Sequence, residues 1–154
     1  MLISLDKLRW YDNSVYGKYP HLTRSETALW SSFLCKFGNR FARVAYDVPV
    51  RVDVGQDFLA RTGINSNWAY LTSLKIDCLA DEILKYHIFE LKPVFDLKAI
   101  GQVLVYASLL PIVYNIDKDI ITSVITNDVS DEVMFACHEL GISVFSQANN
   151  FCAL

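Results

Sequence analysis

Glu90 and Lys92 stand two positions apart, Asp77 precedes them, and Gln102 and Tyr106 follow, four positions apart. Two carboxylates and an ammonium suit metal-assisted phosphoryl chemistry. A hard divalent cation such as Mg²⁺ is held by one or two carboxylates plus waters and substrate phosphate oxygens, rather than by a full protein cage. Asp77 and Glu90 meet that requirement. A lysine beside the ion can orient or deprotonate a water, or neutralise charge growing on a phosphoryl group. Lys92 is placed for either role.

These side chains need elements that bring them together. Residues 74–79 and 86–92 are short, rich in apolar and β-branched side chains, and separated by the polar pair Asp81-Glu82, which predicts two strands joined as a hairpin. Alternation along a strand puts Glu90 and Lys92 on one face and turns Phe89 and Leu91 toward a core on the other. Asp77 joins the acid face if the hairpin register sets it alongside. Gln102 and Tyr106 share one face of a helix expected to be capped by Asp96 and to end near Leu109, before Pro111.

An Asp, a short gap and then Glu90-Leu-Lys92 resembles the signature of the PD-(D/E)xK nuclease superfamily, and Gln102-Val-Leu-Val-Tyr106 resembles the Gln-x-x-x-Tyr element of its RecB-like branch. The resemblance spans about residues 23–146. Lys75-Ile-Asp77 stands where the family usually has a proline before the first acid, and the chemistry needs only the carboxylate. The resemblance implies a restriction-endonuclease-like core, catalysis by Asp77, Glu90 and Lys92, and Mg²⁺ or Mn²⁺ held by Asp77, Glu90 and the Leu91 backbone carbonyl. It also implies that Gln102 and Tyr106 support the site and contact the substrate strand. Many members carry a glutamate on an upstream helix that completes the metal site, and Glu26 is its counterpart here. Glu26 has a competing role, since Thr23-x-x-Glu26 is a capping box.

The rest of the chain supplies the frame. A helix is expected from Thr23 to Gly38, strand structure over 43–54 broken at Pro49, a strand at 119–126, a helix capped by Asp128 or Ser130 and ended by Gly141, and a last strand at 142–146. The order αβββαβαβ describes an α/β domain with a central mixed sheet flanked by helices. Its 154 residues fit a single domain, with residues 1–22 as an N-terminal extension. Asp47 and Asp53 are rivals for the first acid and rank below Asp77, because they lie far ahead of Glu90 without a paired hairpin strand. Residues 55–70 read as a long loop with one helical turn near Phe58 to Arg61.

Net charge is −3, unevenly spread: 13 basic against 11 acidic residues precede Ala99, and one against six follow. Phosphate contacts supply most nonspecific nucleic-acid affinity, so the N-terminal portion is the expected nucleic-acid face. Arg9, Lys18 and His21, set among Trp10, Tyr11, Tyr16 and Tyr19, could clasp a backbone and stack on bases, as could Arg61 with Asn65 and Trp68. The plainer expectation is that these aromatics pack across the domain. A homodimer or an accessory protein would add the affinity that an acidic chain lacks.

Several classes lose support. Cys35, Cys78, Cys137 and Cys152 are scattered singly, so no iron–sulfur cluster or zinc site is expected. There is no phosphate-binding loop, nucleophile elbow or His-Glu-x-x-His motif. The chain lacks a signal-peptide pattern and a membrane-spanning run, so a soluble intracellular protein without membrane contact is expected. His87 and His138 read as structural. The expectation is a metal-dependent nuclease acting on DNA; the alternative is a noncatalytic nuclease-fold subunit that binds nucleic acid or a protein partner.

Overall fold

The computed structural model describes residues 2–50 and 74–152. Asp53 and the expected loop with Arg61, Asn65 and Trp68 lie outside the described residues. Strands β1 (Trp10–Tyr11), β2 (Arg43–Pro49), β3 (Lys75–Glu82), β4 (Lys85–Lys92), β5 (Asp119–Thr126) and β6 (Ile142–Ser146) form one sheet in that order. Helices α1 (Arg24–Phe37), α2 (Lys98–Val113) and α3 (Asp131–Glu139) complete the element order expected from sequence, with the two-residue β1 added in front. The class is α/β with a mixed open sheet. Neighbours from β1 to β4 are antiparallel, and β4, β5 and β6 are parallel. Parallel neighbours need a crossover, which α2 and α3 provide.

The sheet separates two cores. Trp30, Phe33 and Leu34 of α1 pack on Phe89, Leu91 and Cys78. On the other face, Ala99, Val103, Tyr106 and Leu110 of α2 pack on Ile88 and Val124. The spacing of those four α2 positions marks one helical face. Phe33 lies at the centre of the first core, with ring centroids 5.2 Å from Phe89, 5.2 Å from Phe145 and 5.7 Å from Phe151.

Three local expectations are corrected. The hairpin turn is Ile83-Leu84, not Asp81-Glu82, because Glu82 pairs with Lys85 and leaves two residues for the turn. Asp81 stays in the strand, buried, since Arg43 Nε and Lys118 Nζ reach its two oxygens at 2.9 and 2.5 Å. Helix α2 continues through Pro111 to Val113. Its last turn is held by burial of Leu110 and Val113, and the Tyr114 N–H donates to the Leu110 carbonyl at 2.9 Å beyond the proline. Asp96 does support the first turn, its Oδ1 accepting the Ala99 N–H at 3.2 Å. Gly38 does not close α1 with a left-handed residue; its φ is −57° and the chain tightens into a 3₁₀ turn, Gly38–Arg40. Glycine suits the close approach there, because a Cβ would lie 3.1 Å from the Asn13 carbonyl oxygen, tighter than an ordinary contact.

The N-terminal segment is tied in. The Ile3 N–H donates to the Val113 carbonyl at 2.9 Å, β1 pairs with β2, and Leu5 and Tyr19 are buried. Among the described residues, no helix is long and apolar enough to cross a membrane. The Phe33 ring fixes the strand that carries Glu90, so Phe33→Ala is expected to lower unfolding stability by about 3–5 kcal/mol. Urea denaturation checks this, and a loss below about 1 kcal/mol would remove Phe33 from the centre of the core.

Candidate active site

Strand β4 turns Glu90 and Lys92 to the α2 side of the sheet, the side of Ile88, while Phe89 and Leu91 pack beneath α1. The β3–β4 ladder runs from Glu82↔Lys85 to Cys78↔Phe89. Beyond it, Asp77 Oδ2 accepts the Leu91 N–H at 2.8 Å, so a side chain stands where a strand carbonyl would. A strand residue sends its N–H and C=O to the same edge, which aims the Leu91 carbonyl at the same gap. Asp77, Glu90 and the Leu91 carbonyl therefore border one opening between parting strands.

Alternation slips at this level. On β3, Cys78 and Ala80 join the α1-side core but Ile76 joins the other, and on β2 Val44 and Tyr46 contrast with Val48 in the same way. Asp47 sits at the slip on β2 with φ +53°, a left-handed conformation unusual for a non-glycine residue. The pairs Tyr46↔Cys78 and Val48↔Ile76 bracket Asp47 and Asp77, putting the two acids at one level of adjacent strands. Lys75 Nζ holds Asp47 Oδ2 at 2.9 Å, and His21 Nε2 lies 3.5 Å from the same oxygen. The low rank given to Asp47 needs correction on one point: it does have a paired strand, and that strand carries Asp77.

Electrostatics join these groups. Burial pushes the Asp77 carboxyl up to about 6, against the Leu91 N–H and Lys92, with the charges of Glu26 and Asp47 adding to the rise. Burial, then the Asp77 charge, push Glu90 up to about 7, with Glu26 adding and Lys92 opposing. Glu90 is 2% exposed; its Oε1 lies 3.0 Å from Lys92 Nζ, and its buried Oε2 has no hydrogen-bond partner among the described residues. Burial pulls Lys92 down, but Glu90, Asp77 and Asp96 outweigh it and keep the ammonium above its ordinary value.

The other expected residues divide. Gln102 Nε2 donates to the Tyr106 hydroxyl at 3.2 Å. Tyr106 packs in the same core as Ile88 of β4, and burial raises its pKa, with the charges of Glu90 and Asp77 adding to it. Glu26 Oε2 accepts the Thr23 N–H at 2.8 Å, so the capping box is formed, and its charge still reaches both acids. Among the described residues, no three His, Cys, Asp or Glu side chains are gathered around one ion position. Two carboxylates and a carbonyl suit a cation that keeps several waters, and the orphaned Glu90 oxygen supplies an acceptor with no other employment.

Arg9 is exposed, its guanidinium carbon 5.1 Å from the Tyr11 ring centroid. It lines a groove of about 530 Å³ with Lys7, Tyr11, His21 and Asp47, which leads from the N-terminal segment to the strand beside Asp77. Lys18 is exposed and does not line that groove. Sequence reasoning placed His21 only among the bases and aromatics of the N-terminal segment and missed Lys75, and only the break at Pro49 hinted at an irregular strand. The chain matches no family model, no curated protein and no solved structure.

Both acids keep protons in the fold that the unfolded chain releases near 3.8 and 4.5. The native state thus binds more protons between those values and about 7, and stability falls as pH rises through that window. Glu90→Gln is expected to flatten this fall and to raise the melting temperature at pH 8 by roughly 3–6 °C in metal-free buffer. Thermal melts from pH 4 to 8 check it; a variant as pH-sensitive as wild type would show that Glu90 is not the strained acid.

Proposed function

We propose that the chain is a metal-dependent nuclease that hydrolyses phosphodiester bonds of DNA, on a restriction-endonuclease-like core of the RecB-like kind. The observation that carries the reading is Glu90: a buried carboxylate with one oxygen on Lys92 and the other unpartnered, beside a second buried acid where two strands part. A structural ion pair would leave no oxygen unused, because an unsatisfied buried acceptor costs about 1–3 kcal/mol.

Asp77, Glu90 and the Leu91 carbonyl would hold Mg²⁺ or Mn²⁺. When bound, the ion polarises the scissile phosphate and lowers the pKa of the attacking water. Its charge would take the place of the protons retained by Asp77 and Glu90 and offset the repulsion between the two carboxylates. Lys92 stays an ammonium under the pull of both carboxylates, so it orients the water and offsets charge on the phosphoryl oxygens rather than serving as base. Gln102 and Tyr106 position the strand. Glu26 adds negative charge from the start of α1 while keeping its helix capped. Arg9 and Lys18 offer phosphate contacts outside the site.

Cleavage of labelled duplex, single-stranded and branched DNA, and of RNA, in Mg²⁺, Mn²⁺ or EDTA tests the reading. Activity is expected to require the metal and to drop at least about 10²-fold in folded Glu90→Ala and Lys92→Ala. If wild type cuts nothing and binds nucleic acid equally with and without metal, the chain is a noncatalytic binding subunit instead.

A further inference from the structure

The face of β4 opposite Glu90 carries a second cavity. The register Phe89↔Ser123↔Ser143 sets one large and two small side chains in a row across β4, β5 and β6, all on the α1 side. Where the two serines stand, the sheet surface drops between aromatic neighbours. Phe33, Phe41, Phe89, Phe145 and His87 border a cavity of about 280 Å³, with Ser123 and Ser143 in its lining. His87 stacks on Phe89, the rings 11° from parallel with centroids 5.7 Å apart, and Phe41 meets His87 edge-on at 5.4 Å.

Three features of this cavity favour a ligand over plain packing. Ser123 is 0% exposed and its Oγ has no hydrogen-bond partner among the described residues, a costly arrangement for a hydroxyl that both donates and accepts. Arg40 and Lys85 also line the cavity, and both charges reach the His87 ring. His87 Nε2 lies 2.6 Å from Glu82 Oε2, and burial together with the two cations holds the ring's pKa below its ordinary value.

We propose that this cavity binds a small planar aromatic anion, one ring system carrying a carboxylate or a phosphate. The ring lies among the phenylalanines and His87, a polar ring atom meets the Ser123 hydroxyl, and the anionic group sits by Arg40 and Lys85. The volume suits one ring system, at the low end of small-molecule sites. The cavity is on the other face of β4 from the acids, so this inference does not rest on the proposed hydrolysis.

Titration of the ¹⁵N-labelled full chain with phenyl phosphate, 4-nitrophenyl phosphate, salicylate and phenylacetate, followed by amide NMR shifts, tests it. Saturable shifts centred on Phe89, Ser123 and Ser143 are expected, with binding about tenfold or more weaker in Ser143→Phe, which fills the cavity, and in Lys85→Ala on the exposed rim. A response to the two phosphate esters alone identifies a phosphate ligand, and one to the two acids alone a carboxylate. No saturable shift with any of the four, shifts confined to Lys92 and Gln102, or binding unchanged in either folded variant would overturn the proposal.

Discussion

The bond from the Leu91 N–H to Asp77 Oδ2 is the constraint on which the site depends. Strands that part must leave backbone groups unpaired, and a buried unpaired amide is expensive. Asp77 removes that cost on one side of the gap. The same bond fixes the carboxylate against the backbone of the Glu90-Leu-Lys92 run, so three functional groups inherit the precision of the sheet. Had the ladder continued through Asp77 and Glu90, the backbone would be satisfied and the gap would close.

Charge in that gap works against stability. Two buried acids with one lysine leave net negative charge in a desolvated place, and both acids respond by holding their protons toward neutral pH. Lys75 holds the Asp47 carboxylate one strand away, and the Asp47 charge still adds to the rise at Asp77. Left-handed backbone at both Asp47 and His21 is strain of the kind that collects at functional sites. A cation entering the gap would reverse the electrostatic sign of the whole cluster. Under the proposed reading, a divalent ion would offset the cost of burying the two acids.

Much of this was legible from sequence because it follows from local periodicity. The alternation around Glu90 and Lys92, the Thr23-x-x-Glu26 box and the crossover helices all rest on neighbours close in the chain. The hairpin turn was not, since apolar Ile83 and Leu84 are forced outward by register, and Asp81 is kept in its strand by Arg43 and Lys118 from distant segments. Pro111 was misjudged because burial of Leu110 and Val113 outweighs one missing hydrogen bond. The position of Asp47 depends on a slip in two strands at once, and a backbone conformation has no signature in composition. Of the residues expected at the site, those on β3, β4 and α2 come together; Lys18 lies apart.

Strand β4 serves two surfaces through alternate residues. Phe89 and Leu91 are held by α1, so Glu90 between them cannot turn toward water without disturbing a close-packed aromatic core. That rigidity is what keeps the Glu90 carboxylate desolvated, and desolvation is the first cause of its raised pKa. The aromatic residues under α1 are therefore part of how the acid is tuned, although none of them faces it. Softening that core would lower the acid's pKa by admitting water, and the two faces of one strand are coupled through packing alone.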